Sequence, residues 1–328
     1  MRRNALLIGL LAVVMLACSG RSDGREQTGR GEESAVSDTL PRSVQVLPLP
    51  DVPPSLTAPG QRAAYIIAHF WDGMDFRDTL RCRDRAFMEQ NLVNYLSLFP
   101  HAKAEALPPH IDRLLERAAA DSTCLDLVND LAEHYLDDPN SPMRDEEYYI
   151  LFLEGLLRLP GLPEAERIRP AYRLEMARKN RPGTTATDFA YTDRHGNRRT
   201  LHTTWGNRLL LLFYDPACSH CSQILDGLRE SAVIGNLVAN KELSVLAVYT
   251  EGDRRLWDDT KASLPQEWSV AIDESRIVER ELYALPAMPV IYLLDTRKTV
   301  LLKDPSPALL EAFLSENSIY PKNDERPR

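Results

Sequence analysis

The sequence predicts an α/β layer fold, with a central mixed sheet flanked by helices, preceded by an all-helical domain. The main support is a change in hydrophobic period along the chain. From about residue 59 to residue 180, apolar residues recur at three- and four-residue spacing, as on the buried face of amphipathic helices. Beyond Arg181-Pro182-Gly183, short apolar strands alternate with helical stretches over about 135 residues. We therefore place the all-helical domain at 57–181 and the α/β domain at 182–320.

The first 18 residues have the pattern of an export signal. Arg2 and Arg3 precede an apolar run at 5–17, and about 13 apolar residues are fewer than the roughly 20 that span a bilayer. The segment Met15-Leu16-Ala17-Cys18 resembles the lipobox of bacterial lipoproteins. This resemblance implies that Cys18 becomes the lipidated first residue of the mature protein. A retained membrane anchor is the alternative.

Lipidation of Cys18 implies a location in the cell envelope, attached to the membrane through the lipid. Ser19 is compatible with sorting to the outer membrane, so we expect the protein on the periplasmic face of that membrane. Residues 19–56 are rich in Ser, Gly, Arg, Glu and Pro and predict a flexible tether, whereas 321–328 predict a disordered tail. A formal net charge of −9 and a pI near 5.4 argue against nucleic acid as the partner.

Prolines divide the predicted helical domain. Breaks are expected at Pro100, at Pro108-Pro109, and in the segments 138–142 and 160–163, which each contain two prolines. These breaks predict roughly five helices. Some polar and aromatic residues at helical spacing predict core packing rather than ligand binding: His69, Trp71, Tyr148 and Tyr149.

The α/β domain begins with a predicted β-hairpin around the turn His195-Gly196-Asn197. An apolar strand follows and leaves the sheet at Pro216, which leads into a helix start. In order, the predicted elements are the hairpin strands 188–192 and 199–202, the strand 208–217, a helix 219–238, the strands 243–250 and 268–272, a helix 275–283, the strand pair 290–295 and 300–302, and a last helix 307–316.

The tetrapeptide Cys218-Ser219-His220-Cys221 lies between that apolar strand and the following helix. Two thiols at this spacing can close a small disulfide ring, which favours reversible redox chemistry. Cys218, at the helix N-terminus, faces unsatisfied backbone N–H groups and the positive end of the helix dipole, which stabilise a thiolate. We therefore predict Cys218 as the nucleophile, Cys221 as the resolving thiol and His220 as a residue that lowers the pKa of Cys218 further.

Alternatives remain open at this motif. The pair could be a static disulfide or a structural zinc ligand pair, although the sequence has no second Cys-x-x-Cys or close His pair. Asp215 would raise the pKa of Cys218 if its side chain pointed inward, and His220 could be an exposed loop residue. The sequence predicts neither a metal nor a cofactor.

Two further cysteines, Cys82 and Cys124, lie in the predicted helical domain. In an oxidising compartment they could form a structural disulfide, closing a loop of about forty residues that the chain-entropy treatment values at roughly 4 kcal/mol. Two unpaired buried thiols are the alternative, because nothing in the sequence fixes the distance between the two residues.

The α/β domain resembles the thioredoxin fold, and in particular envelope-facing proteins of the TlpA and ResA type. The resemblance rests on the hairpin, apolar strand and Cys-x-x-Cys of 188–221, followed by Pro286-Ala287-Met288-Pro289 and the next strand. It implies that Pro289 is a cis-proline opposite the cysteine pair, with Met288 before it, and that their backbone binds the substrate chain. Pro286 is the competing candidate.

This chain also departs from thioredoxin. Thioredoxin has a tryptophan before its first cysteine and a buried acid on the preceding strand, where this sequence has Ala217 and Leu212. Peroxiredoxins have a threonine three residues before the reactive cysteine, where this chain has Asp215, so peroxidase activity is not expected. The helical domain, including the runs 65–78 and 138–144, resembles a helical region of uncharacterised function found before thioredoxin-like domains in some bacterial lipoproteins.

The sequence thus predicts a membrane-tethered protein-disulfide oxidoreductase that exchanges disulfides with exported proteins. Its upstream redox donor and the direction of electron flow stay open. His220 favours a redox potential in the middle or oxidising part of the range for such proteins. The alternative is an envelope binding or assembly lipoprotein, in which the helical domain carries specificity and the thioredoxin-like domain is a scaffold.

Overall fold

The computed structural model describes residues 46–316 of the chain. The predicted signal peptide, Cys18, most of the predicted tether and the predicted tail lie outside these residues. Residues 46–53 form neither helix nor strand. Leu47 is nevertheless buried, and its backbone N–H donates a hydrogen bond to Asn91 Oδ1 over 2.8 Å. The end of the predicted tether is therefore packed on the helical region at Leu47.

Seven α-helices form the first part of the described chain. The expectation of roughly five was wrong because new helices also begin after aspartates, at breaks that contain no proline. The side chains of Asp78, Asp84 and Asp121 accept backbone N–H groups at the starts of α2, α3 and α5, and an N-cap residue is itself extended rather than helical. The helices are α1 (Pro59–His69), α2 (Thr79–Cys82), α3 (Arg85–Leu96), α4 (Pro108–Ala118), α5 (Ser122–Leu136), α6 (Glu146–Arg158) and α7 (Glu164–Ala177).

Aromatic side chains fill the core between these helices. The ring of the completely buried Tyr95 has centroid distances of 5.4, 5.8 and 5.0 Å to Phe70, Trp71 and Phe99. The predicted core positions of Trp71 and Tyr149 are confirmed. His69 instead lies at the surface, 2.7 Å from Asp72 Oδ2.

The second part of the described chain forms one mixed sheet of seven strands, in the order β2-β1-β5-β4-β3-β6-β7. Four helices accompany it, and no described helix is long and apolar enough to cross a membrane. The strands are β1 (Ala190–Asp193), β2 (Arg198–Thr200), β3 (Leu209–Tyr214), β4 (Ser244–Tyr249), β5 (Ser269–Asp273), β6 (Val290–Leu294) and β7 (Val300–Lys303). The helices are α8 (Ser219–Glu230), α9 (Ala232–Ala239), α10 (Arg254–Thr260) and α11 (Pro307–Glu316).

Three helix predictions in this part need correction. The helix expected at 219–238 is two helices, since Ser231 is extended and its hydroxyl accepts the Ile234 N–H. The segment 275–283 forms turns instead of a helix. Both Arg276 and Glu281 there have positive φ, which interrupts the helical hydrogen-bond ladder. The helix α10 was not predicted.

The central strand β3 determines where the functional end of the sheet lies. It pairs in parallel with β4 and antiparallel with β6. Leu210 and Leu212 face the core beneath α8, α9 and α11, while Leu209, Leu211 and Phe213 face the opposite core. Because Phe213 pairs with Val290, the C-terminal end of β3 lies beside the residues just before β6.

Buried charges join the helical region to the edge strand β7. The ammonium of Lys303 lies 2.5 Å from Glu146 Oε2 and donates to the Ala177 and Lys179 carbonyls, at 2.9 and 2.8 Å. A second ion pair joins Arg144 to Asp304. These contacts connect the end of α7 and the start of α6 directly to the sheet.

Candidate active site

Cys218 lies where β3 ends and α8 begins. It is the N-cap residue of α8, with an extended backbone, and its Sγ accepts the backbone N–H of Cys221 over 3.3 Å. The side chain is half-buried. Cys218 therefore lies at a helix start, as predicted. The backbone N–H groups in the first turn of α8 point toward its sulfur.

Cys221 lies one turn further along and is completely buried. It belongs to the same buried apolar cluster as Leu212 of β3 and Ile291 of β6, and the Asp215 backbone nitrogen lies 3.5 Å from its Sγ. Burial raises the pKa of the Cys221 thiol to about 12. Leu212, at the place of the buried acid of thioredoxin, adds to this apolar environment. The two thiols of the motif are thus in opposite environments.

The environment of Cys218 favours its thiolate. Hydrogen bonds from the Cys221 backbone N–H and then from the Cys221 thiol lower the pKa of Cys218, and the His220 backbone N–H contributes less. Partial desolvation and the charge of Asp215 oppose this shift, and the pKa remains lowered. A lowered pKa places more of this thiol in the nucleophilic form at neutral pH.

The structure also shows how the two neighbouring polar side chains lie. Asp215 Oδ1 accepts the backbone N–H of Ala217 over 2.9 Å, so the carboxylate is held in the loop before the nucleophile. His220 is exposed. Its contribution to Cys218 comes from the backbone N–H, whereas the prediction concerned its imidazole.

The segment before β6 completes the site. The Met288–Pro289 peptide bond is cis, and the Met288 carbonyl oxygen lies 3.9 Å from Cys218 Sγ. Among the described residues the cis bond is at Pro289 and not at the competing Pro286. The pairing of Phe213 with Val290 brings this segment beside Cys218.

The other predicted cysteines belong to a different part of the protein. Cys82 and Cys124 are both completely buried in the core of the helical region, and they are present as thiols. Within residues 46–316, no group of three or more His, Cys, Asp or Glu side chains could hold a metal ion.

Backbone groups supply several contacts that sequence reasoning missed. The Asp215 N–H at Cys221 and the Met288 carbonyl at Cys218 are backbone contacts without a residue-type signal. Only the position of Met288-Pro289 opposite the cysteine pair was expected, from the resemblance to the thioredoxin fold. Tyr214 lies in the same buried cluster as Cys221, and its hydroxyl has no hydrogen-bond partner among the described residues. The sequence signal that could have placed Tyr214 in the site was its position at the end of the apolar strand.

Solved structures resemble this chain to different extents. A thioredoxin-like protein from Bacteroides caccae is 37% identical, covers 82% of this chain and 98% of its own, and superposes with a TM-score of 0.78. The C-terminal domain of an uncharacterized protein from Bacteroides fragilis is 37% identical over 42% of this chain and 98% of its own, with a TM-score of 0.41. The thioredoxin domain of a thiol-disulfide oxidoreductase from Bacteroides vulgatus is 20% identical over 42% of this chain and 96% of its own, with a TM-score of 0.37.

The predicted thioredoxin-like fold, with a helical region before it, is confirmed. Residues 17–180 match the family model of DUF5106, a domain of unknown function, in agreement with the resemblance to an uncharacterised helical region. The chain therefore belongs to the thioredoxin-like proteins, and its residues 17–180 belong to the DUF5106 family. Comparison with curated proteins finds no match.

Proposed function

We propose that this protein is a thiol-disulfide oxidoreductase, tethered in the cell envelope through a lipid on Cys18, which exchanges disulfides with exported proteins. The observation that carries the proposal is the asymmetry of the cysteine pair. Cys218 is half-buried with a lowered pKa, whereas Cys221 is buried with its pKa raised to about 12. An attacking thiol must reach its client as a thiolate, and a resolving thiol must stay protonated until the mixed disulfide forms.

In the reducing direction, the Cys218 thiolate attacks one sulfur of a client disulfide. The client S–S bond breaks, one client sulfur leaves as a thiolate, and Cys218 is joined to the other. Cys221 then passes its proton to the client thiolate released in the first step and attacks Cys218, which releases the second client sulfur as a thiolate. Two electrons have passed to the client, and the Cys218–Cys221 disulfide remains. In the oxidising direction each step runs in reverse.

The surroundings of Cys218 suit a client backbone. We place the client chain along Met288-Pro289, since the Met288 carbonyl already lies 3.9 Å from Cys218 Sγ. Asp215 keeps its carboxylate on the Ala217 N–H, where its charge opposes the thiolate and limits how far the pKa of Cys218 falls. His220 adds its backbone N–H and an exposed imidazole at the rim.

The test is a trapping experiment in the native bacterial envelope. In a Cys221→Ala variant the mixed disulfide cannot be resolved, so covalent complexes with envelope proteins should accumulate and disappear on reduction. The matched control is Cys218→Ala with Cys221→Ala, which should trap nothing. The absence of complexes with the Cys221→Ala variant would contradict the exchange mechanism. A Cys18→Ala variant should lose both lipid labelling and membrane association.

The redox potential of the full-length protein determines the direction of exchange. A value near about −270 mV fits a reductase, and a value near about −120 mV fits an oxidant. Hydrogen bonds that stabilise the Cys218 thiolate stabilise the reduced form, so we expect a value above that of thioredoxin. A value at or below about −270 mV would contradict this expectation.

A cleft in the helical region favours a second candidate function, that of a binding or assembly protein. It has a volume of about 250 Å³ between α5, α6 and α7, and its lining combines apolar residues such as Phe152 and Leu156 with charged residues such as Glu133 and Arg169. Its lining residues all belong to the helical region, away from Cys218. If this function is the principal one, replacing Cys218 and Cys221 by serine leaves the cellular phenotype unchanged, whereas substitutions in the cleft abolish it.

A further inference from the structure

Two thiols of the helical region meet in its core, outside the candidate active site. Cys82 is the last residue of α2, and Cys124 lies in the first turn of α5. Both side chains have no exposed surface, and they are hydrogen-bonded to each other. About forty residues separate them in sequence. We propose that Cys82 and Cys124 form a structural disulfide that ties α2 to α5.

Neighbouring contacts hold the two cysteines together independently of the sulfur atoms. Arg83, next to Cys82, contacts the carboxylate of Asp121 through two nitrogens, at 2.5 and 3.3 Å. The same carboxylate accepts the backbone N–H of Cys124 over 3.0 Å. Asp121 thus fixes the start of α5 and the end of α2 at once. The folded positions of both cysteines are therefore stabilised by contacts that do not require an S–S bond.

The short helix α2 is the element that gains most from a covalent link. It has four residues, and isolated helices of one turn are unstable in water. Cys82 is its buried residue, whereas the Leu80 side chain is largely exposed. Besides its Asp78 cap, the adjacent Arg83–Asp121 pair and the Arg81 guanidinium, 5.4 Å from the centre of the Phe87 ring, α2 is anchored in the core through Cys82.

The environment of this pair is structural rather than catalytic. Burial raises the pKa of both thiols, and the Cys82 thiol donates a hydrogen bond to the Phe76 carbonyl over 3.2 Å. Neither sulfur in the folded state is an accessible thiolate of the kind that exchanges with clients. We therefore expect the bond to form during folding, before α2 closes over Cys82, and to resist reduction afterwards.

The oxidation needs an electron acceptor, for which we propose a disulfide, either of a small thiol compound or of another envelope protein. One cysteine thiolate attacks the acceptor disulfide and releases one acceptor thiol. The second cysteine then attacks the mixed disulfide, which forms the Cys82–Cys124 bond and releases the other acceptor thiol. Two protons and two electrons leave the pair, and one acceptor disulfide becomes two thiols.

The test uses the full chain with Cys218→Ser and Cys221→Ser, so that the result does not depend on the proposed oxidoreductase function. The reduced, denatured protein is refolded with a mixture of oxidised and reduced glutathione, quenched in acid and alkylated in denaturant. Cleavage before aspartate gives peptides 78–83 and 121–125, which each contain one of the two cysteines. We expect these peptides joined, two hydrogens lighter than their sum, and separable by reductant. Folded monomer with both peptides alkylated, or each joined to glutathione, would overturn the proposal.

A second measurement compares the unfolding of the oxidised and reduced forms of the protein, with Cys82 and Cys124 both intact. In the same background, the oxidised protein should unfold at a higher denaturant concentration than the reduced protein. The chain-entropy treatment of a loop of this length gives a ratio of folding equilibrium constants of up to roughly a thousandfold. A Cys82→Ala variant should lose all dependence on reductant. Equal midpoints for the oxidised and reduced proteins would contradict a stabilising link.

Discussion

Replacing Lys303 by methionine is expected to destabilise the protein by about 3–5 kcal/mol. Lys303 is 7% exposed, and its ammonium uses all three N–H donors, on Glu146 and on the carbonyls of Ala177 and Lys179. Methionine has a similar length and apolar character, so the substitution removes the charge with little change in packing. Glu146, 19% exposed, is left as a buried carboxylate without its ammonium partner.

The magnitude follows from the burial of this pair. A surface ion pair contributes at most about 1 kcal/mol, but removing one partner of a buried pair leaves an unpaired charge and unpaired carbonyls. Since burial already raises the pKa of Glu146, loss of the ammonium should favour its protonation and moderate the cost at acidic pH. Removing both charges in Lys303→Met with Glu146→Leu should cost less than the sum of the two single changes.

Guanidinium unfolding followed by tryptophan fluorescence measures this effect in both parts of the protein. Trp71 reports on the helical region, and Trp257 and Trp268 report on the α/β domain. Lys103→Met is the matched control, because Lys103 is exposed, and it should change the free energy of unfolding by less than about 0.5 kcal/mol. A Lys303→Met variant within about 1 kcal/mol of this control would refute the reasoning.

Further predictions concern Cys218 and are checked by its rate of alkylation by iodoacetamide against pH in the reduced protein. Cys221→Ala should lower the alkylation rate at pH 7 by roughly two- to tenfold, because the hydrogen bond from the Cys221 thiol to the Cys218 thiolate is lost. Cys221→Ser keeps a hydrogen-bond donor, so Cys218 should react faster in this variant than in the alanine variant. Asp215→Asn should raise the rate by roughly twofold, because the opposing charge disappears while the amide oxygen can still accept the loop N–H; a slower variant would contradict this. His220→Ala should change the rate by less than about twofold, since the backbone N–H remains. Because folding lowers the pKa of Cys218, its thiolate stabilises the reduced protein above the unfolded-state pKa, and this stabilisation is lost as pH falls through the folded-state pKa. The difference in unfolding free energy between wild type and Cys218→Ser should accordingly be larger at pH 9.5 than at pH 6.

Much of the α/β domain follows from local sequence. The apolar run of β3 and the last helix α11 were predicted because continuous or periodic burial leaves a direct pattern in residue types. The turns at 275–283 were missed because Arg276 and Glu281 adopt positive φ there, and the Asp273 carboxylate accepts the N–H groups of Ser275 and Ile277 in that turn conformation. Side-chain capping of this kind depends on conformation as much as on residue type.

The two cysteine pairs show most clearly which features the sequence determined and which only the tertiary structure decided. The sequence alone determined that Cys218 stands at a helix start and Cys221 one turn inward, because a Cys-x-x-Cys after an apolar strand is a local pattern. It also placed a proline, Pro289, before a later strand. Only the tertiary structure decided which groups touch the sulfurs, since those groups are backbone N–H and carbonyl groups brought together by the pairing of β3 with β6. The same holds for Cys82 and Cys124, whose contact depends on how α2 packs against α5 across about forty intervening residues. Distances between remote residues are set by packing of the whole chain, and no local pattern encodes them.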